Sequence, residues 1–241
     1  MRTPLLALAL SAAFGAAHAS LAPQTIVQWN FNSNPADGNV ATGTLVPNTG
    51  TGTASLIGGT TSTFASGAAG GGSTDPATVD DSGWNTSTYA AQGAGDRTRG
   101  VQFAVSTAGW LDVVVSWDQR HSNTAARHAQ FQYSLDGLSF VDHGALFVGN
   151  LGDTWFNGRS VNLSTIPGVN DNPNFAFRIV SAFAPGGTGY VASSTGSTYG
   201  TAGTWRFDMV SVQAAPVPEP EAYALLLAGL GLLGWVARRR A

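Results

Sequence analysis

The stretch Gly100-Val-Gln-Phe-Ala-Val-Ser-Thr-Ala-Gly-Trp-Leu-Asp-Val-Val-Val-Ser-Trp117 decides the fold class. Val101, Phe103 and Val105 are apolar at every second position, and Leu111, Val113, Val115 and Trp117 repeat the pattern. A period of two sends alternate side chains to opposite faces of a strand, so each segment offers one face to a core and one to water. Outward from this stretch the same signal recurs. Val27, Trp29 and Phe31 alternate with Gln28, Asn30 and Asn32, and Phe131, Tyr133 and Leu135 alternate with Gln130, Gln132 and Ser134. Asp136-Gly137 then supplies positive-φ residues for a hairpin turn before Phe140. Phe175, Phe177 and Ile179 mark another strand, and Trp205 to Val212 the last. No helical period competes between Ser20 and Ala215. The prediction is therefore an all-β domain, an antiparallel jelly-roll-like β-sandwich over residues 20–215, whose first and last strands are able to pair. Residues 41–75 are mostly Gly, Thr, Ser and Ala and read equally as loop or as short edge strands around Thr44-Leu45-Val46 and Ala54-Ser55-Leu56-Ile57.

Composition narrows the chemistry. Glycine contributes 31 of 241 residues and charged residues only 10%, against a usual ~25% charged. All 11 basic residues are Arg, and the two Glu, Glu219 and Glu221, lie near the C-terminus. A net charge of -3 without clustered basic residues in the body argues against nucleic acid as a partner. Lysine Schiff-base chemistry and paired-glutamate catalysis have no residues in the body. The absence of Cys removes disulfides, thiolate ligands and thiol nucleophiles.

Both ends read as addresses. Arg2, the apolar run Leu5 to Phe14 and the small-residue site Ala17-His18-Ala19 follow the order of a secretory signal peptide, so residues 1–19 are expected to form a signal helix that engages the Sec export machinery and is cut before Ser20. Toward the C-terminus, Ala222 to Ala237 is apolar, Trp235 sits where an interfacial aromatic belongs, and Arg238, Arg239 and Arg240 set the cytoplasmic side. A single transmembrane helix is predicted there. Sixteen helical residues reach about 24 Å, short of a ~30 Å hydrocarbon core, so the span is marginal and suits a temporary anchor in the inner membrane. Before it stands Val217-Pro218-Glu219-Pro220, preceded by Pro216, which can continue neither helix nor central strand.

An extended Val-Pro-Glu-Pro, a hydrophobic helix containing Ala228, Gly229, Gly231 and Gly234, and a terminal arginine cluster together resemble the tripartite PEP-CTERM sorting signal, over residues 216–241. The resemblance implies that an exosortase, a membrane-embedded cysteine transpeptidase of Gram-negative bacteria, recognises Val217, Pro218, Glu219 and Pro220. It implies an exosortase substrate, cut near that motif and delivered to the cell surface or extracellular matrix. Segments such as Val115-Ser-Trp-Asp-Gln-Arg-His121 and Asn174-Phe-Ala-Phe-Arg-Ile179 further resemble an extracellular bacterial β-sandwich module, which carries over no active-site residue.

Asp118, Arg120, His121, Asn123, Arg127 and His128, with Asp142 and His143, form the densest polar cluster. Asp118, His121, His128 and His143 offer imidazole and carboxylate ligands for a metal-dependent hydrolase. Their spacing matches no compact motif, and the favoured reading is a loop that satisfies its own backbone groups. No Gly-x-Ser-x-Gly elbow is present, and adjacent Asp80 and Asp81 would point to opposite faces of a strand. Structural calcium is the one cofactor considered, with Asp208 on the last strand as a ligand. Trp84, Tyr89, Trp155, Tyr190 and Tyr199 are candidates for stacking on a sugar ring, with core packing as the competing reading. The sequence thus predicts a non-enzymatic, structural or adhesive surface protein. The alternatives are a carbohydrate-binding module for exopolysaccharide and, more remotely, the metal-dependent hydrolase.

Overall fold

The computed structural model describes residues 22–77, 79–218 and 220–240. The signal segment, with Ala17, Ala19 and Ser20, and Glu219 of the sorting motif lie outside the described residues. Eleven strands are present among the described residues: β1 (Gln24–Trp29), β2 (Thr53–Ile57), β3 (Thr61–Ser66), β4 (Ser82–Ser87), β5 (Gly100–Ala104), β6 (Trp110–His121), β7 (His128–Ser134), β8 (Val141–Val148), β9 (Trp155–Asn162), β10 (Ala176–Ala182) and β11 (Trp205–Pro216). One helix, α1 (Pro220–Arg240), follows.

The strands form two antiparallel sheets. Sheet A runs β3-β4-β11-β6-β9, with β1 also on β11, and sheet B runs β2-β5-β10-β7-β8. From β4 to β11 the chain passes between the layers in the jelly-roll manner. Trp29 pairs with Val210, so the first and last strands do meet. Strand β11 changes neighbour along its length: Trp205 to Phe207 pair with β4, and Val210 to Ala214 pair with β1. A bulge separates the two halves, with the pairing to β6 slipping between Asp208 and Ser211 and Met209 at φ 48°. Such a bulge re-aims the side chains beside it.

Alternation delivers the core. Trp29, Trp84, Trp117 and Trp205 are fully buried, together with Phe31, Phe103, Phe131, Phe175, Phe177 and Phe207. Trp84 lies 5.5 Å from Phe31 and 6.0 Å from Phe103 between ring centroids, and Phe103 stacks on Phe177 at 5.0 Å. Aromatic burial at 150–250 Å² per side chain makes each such ring worth about 4–6 kcal/mol gross.

Residues 41–75 resolve toward strands in their middle. Ala54 to Ile57 fall in β2, whereas Thr44 to Val46 form no strand and Leu45 instead accepts a hydrogen bond on its carbonyl from Trp29 Nε1 (3.0 Å).

Helix α1 opens with Pro220 at its first position, where the missing N–H costs nothing. Leu226, Leu227, Leu230, Leu232 and Leu233 are all exposed, and Arg239 stacks over Trp235 at 3.9 Å. Among the described residues no helix is long and apolar enough to cross a membrane. The helix itself covers the whole segment expected to span, Ala222 to Ala237.

Candidate functional site

The outer face of sheet A carries charge in register. Asp118 pairs across the strands with Asp208, and Arg120 with Arg206. The connection from Gly67 to Asp81 lies over these four residues. Asp118, nearly fully buried, accepts three hydrogen bonds, from Thr74 N (2.6 Å), Thr74 Oγ1 (2.6 Å) and Gly158 N (2.7 Å). Asp208 accepts from Ser73 Oγ (2.7 Å), Arg120 donates to Ala69 O (3.0 Å) and pairs with Asp153 (2.8 Å), and Arg206 donates to Ser66 O (2.6 Å). A composition that looks flexible is thus held by the sheet beneath it.

The predicted histidine cluster does not assemble into a centre. His121 is completely buried, its Nδ1 lies 2.8 Å from Ala126 O, and its ring packs 4.7 Å from Trp205. Burial, with Arg159 second, pulls its pKa down to about 3, so it is a neutral packing group. His128 and His143 belong to β7 and β8 of the other sheet. Burial also lowers the pKa of half-buried His128, with Arg127 adding to it. Among the described residues only Asp75, Asp81 and Asp208 bring three ligating atoms together, within 4.8 Å. Asp118 and His121 are corrected as metal candidates: Asp118 spends its oxygens on three backbone and hydroxyl donors, and His121 is walled in. Asp208 alone of the predicted ligands lies in a cluster.

The predicted sugar-stacking rings are packing residues. Trp84, Tyr89, Trp155 and Tyr190 are all buried, the most exposed being Trp155 at 6%. Trp155 Nε1 donates to Ala69 O, Tyr190 Oη to Gly95 O, and Tyr89 Oη shares a hydrogen bond with Thr86 Oγ1. Half-buried Tyr199 stacks on Tyr190 at 4.7 Å. Trp84, Tyr89, Trp155 and Tyr190 therefore offer no free face to a sugar, which corrects that expectation for these four rings.

Sheet B holds a surface that sequence reasoning missed. Ser55, Gln102, Arg178, Gln132 and Asp142 lie side by side on β2, β5, β10, β7 and β8, one polar residue per strand across the whole sheet. Neighbouring Val101, Phe103, Phe177 and Ile179 point into the core, so this row faces outward. Arg178 Nε donates to Gln102 Oε1 (2.8 Å) and its guanidinium stacks 3.5 Å from the Phe140 centroid. Gln132 Nε2 donates to Asp142 Oδ1 (2.9 Å), and Arg97 closes on the other Asp142 oxygen. One flank of the row is lined by small residues, Ala104, Ala176 and Ser134, also in register. The signal was present as the polar partners of the apolar alternation, but which strands adjoin was not readable.

The chain leaves the sandwich abruptly. Pro216 still pairs with Trp110, and Val217 N donates to Gly109 O (2.9 Å). Val217 and Pro218 adopt no regular structure, and Val217 is exposed. This strip leads directly into α1.

No curated protein matches the chain in sequence. Among solved structures, the chain is similar to the CBM22-1 xylan-binding domain of Paenibacillus barcinonensis Xyn10C, at 11% identity and TM-score 0.46, over 83% of this chain and 100% of that one. The CBM22-1-CBM22-2 tandem of the same enzyme aligns at 12% identity and TM-score 0.48, over 85% of this chain and 48% of that one. The K1 cleaved adhesin domain of Lys-gingipain from Porphyromonas gingivalis W83 aligns at 13% identity and TM-score 0.36, over 70% and 100%. The family model for the PEP-CTERM protein-sorting motif matches residues 216–240. The strip and helix that follow the sandwich are therefore a PEP-CTERM sorting motif.

Proposed function

We propose that this protein is exported, processed by an exosortase within Val217–Pro220, and displayed at the cell surface as a non-catalytic structural or adhesive sandwich. The carrying observation is where the sorting motif begins: immediately after the last paired residue of β11. A cut C-terminal to Val217 leaves every strand intact and removes α1 with the few residues flanking it, and the exposed leucines of α1 have no partner in the sandwich. A non-catalytic role is supported by the polar groups of β6, since His121 is buried and neutral and Asp118 is committed to the loop above it. Glu219→Ala tests the sorting. In cells that hold the exosortase, the variant accumulates in the membrane fraction at full length while the wild-type chain is shortened. Equal shortening of both would overturn the proposal.

A second reading concerns the sheet B row. Planar amide, guanidinium and carboxylate groups set across five strands and bordered by small residues suit an extended polyhydroxyl chain, which makes exopolysaccharide the ligand class. Binding of the host's own exopolysaccharide, reduced about tenfold by Gln102→Ala or Arg178→Ala at unchanged melting temperature, supports it. Wild-type protein that binds no polysaccharide refutes it.

A further inference from the structure

We propose that Asp75, Asp81 and Asp208 bind one hard divalent cation of the calcium class, which fastens the loop over sheet A to the bulge in β11. The three ligating oxygens lie within 4.8 Å of one another. Calcium takes oxygen at about 2.3–2.6 Å, so oxygens across one ion stand roughly 4.6–5.2 Å apart, and the trio fits around a single ion. The donor set is entirely oxygen, without imidazole or thiolate, which selects calcium over zinc or copper.

The second observation is Asp81 itself. It is 8% exposed, and its Oδ1 is buried with no hydrogen-bond partner. Buried carboxylate oxygens are ordinarily satisfied, so an orphan one aimed at two further carboxylates needs a ligand. Gly67 marks the same point: a Cβ built there would lie 1.8 Å from Asp81 Oδ1 and 2.8 Å from Asp208 Oδ2, so the chain keeps this space clear of side chain.

The other two carboxylates are held ready. Asp75 accepts from Asn32 Nδ2 (2.8 Å) and Ala77 N (2.9 Å). Asp208, with no exposed surface, accepts from Ser73 Oγ and Met209 N (2.7 Å each). Arg206 is the cation whose charge reaches Asp208, and its Nη1 is given to Ser66 O. One guanidinium does not balance three carboxylates. Burial first, and Asp75 second, raise the Asp81 pKa to about 6, and burial raises Asp208 well above its usual range. A divalent ion removes that repulsion and ties the loop to the sheet: Asp75 within the loop and Asp81 at its end, entering β4, to Asp208 on β11.

The test uses the full chain in mild detergent, stripped with EDTA and titrated with calcium chloride. Wild-type protein should bind one calcium per chain, and its melting temperature should rise by about 5–10 °C at ~100 times Kd. Asp81→Asn and Asp75→Asn should each weaken calcium binding about tenfold or more. In EDTA they should melt at or above the wild-type temperature, because a repelling charge has gone. The order then inverts on adding calcium. The proposal is overturned if calcium leaves the wild-type melt unmoved, if it raises Asp81→Asn equally, or if zinc and not calcium produces the shift.

Discussion

Asp118→Asn probes the docking of the Gly67–Asp81 loop at one atom. The wild-type carboxylate accepts Thr74 N and Oγ1 on Oδ2 and Gly158 N on Oδ1, at 2.6, 2.6 and 2.7 Å. Asparagine keeps one oxygen. Turned toward Thr74 it retains two bonds, now uncharged, and its amide N–H₂ then confronts the N–H of Gly158. One charge-assisted bond is lost, two are weakened and a donor meets a donor, for a cost of about 3 kcal/mol. In a domain of this size each 1 kcal/mol lowers the melting temperature by about 2–4 °C, so the drop should be about 6–12 °C. Near-UV circular dichroism of the buried tryptophans follows it. Because residues 67–81 contain no Lys or Arg, subtilisin rather than trypsin reports loop release, and the variant should be nicked there first. A variant that melts within about 1 °C of wild type and is cut no faster in the loop would refute the pinning.

Three further outcomes follow from the same geometry. Trp84→Ala empties a site packed on Phe31, Phe103 and Phe207 and should cost about 3–5 kcal/mol in urea unfolding, with Trp84→Phe recovering part of it. His121→Phe keeps the stack on Trp205 and removes a titration. The folded pKa near 3 lies below the usual 6.5, so the unfolded chain binds the extra proton between those values. The resulting stability is complete above pH 6.5 and lost toward pH 3, with a limiting slope of about 1.4 kcal/mol per pH unit. Asp81, raised to about 6, works in the opposite sense from pH 6 down to about 4 and is common to both proteins. The wild-type minus variant difference should therefore fall with acid from pH 6.5, and a flat difference would contradict the buried neutral imidazole. Arg120→Ala removes the bonds to Ala69 O and Asp153 and should increase subtilisin cleavage in the same loop as Asp118→Asn does.

Much of the sandwich was legible because burial and period coincide. Strand β5 and the stretch of β6 from Val113 to Trp117 show one apolar face each, and that face is the one buried, whereas β7 also buries Gln130, Gln132 and Ser134 of its polar face. Strand β4, Ser-Gly-Trp-Asn-Thr-Ser, has one large apolar residue, yet Ser82, Gly83 and Thr86 are buried because neighbouring strands cover them. Period cannot report burial supplied by neighbours. Edge strand β8 is largely exposed and so lacks a marked apolar face. The loop from Gly67 defeated composition for another reason: its anchors Asp118 and Asp208 stand 44 and 135 residues from their partners Thr74 and Ser73. The polar row on sheet B depends on register between strands far apart in sequence, as with Gln102 and Arg178. The sorting motif, by contrast, is contiguous, and was readable in full.

The most direct measurement is the intact mass of the mature protein recovered from cells with and without the exosortase. Exosortase processing predicts a chain ending within Val217–Pro220 in the first case, lacking Ala222 to Ala241, and an uncut C-terminus in the second. The same full-length mass in both, with Arg238, Arg239 and Arg240 still attached, would contradict it.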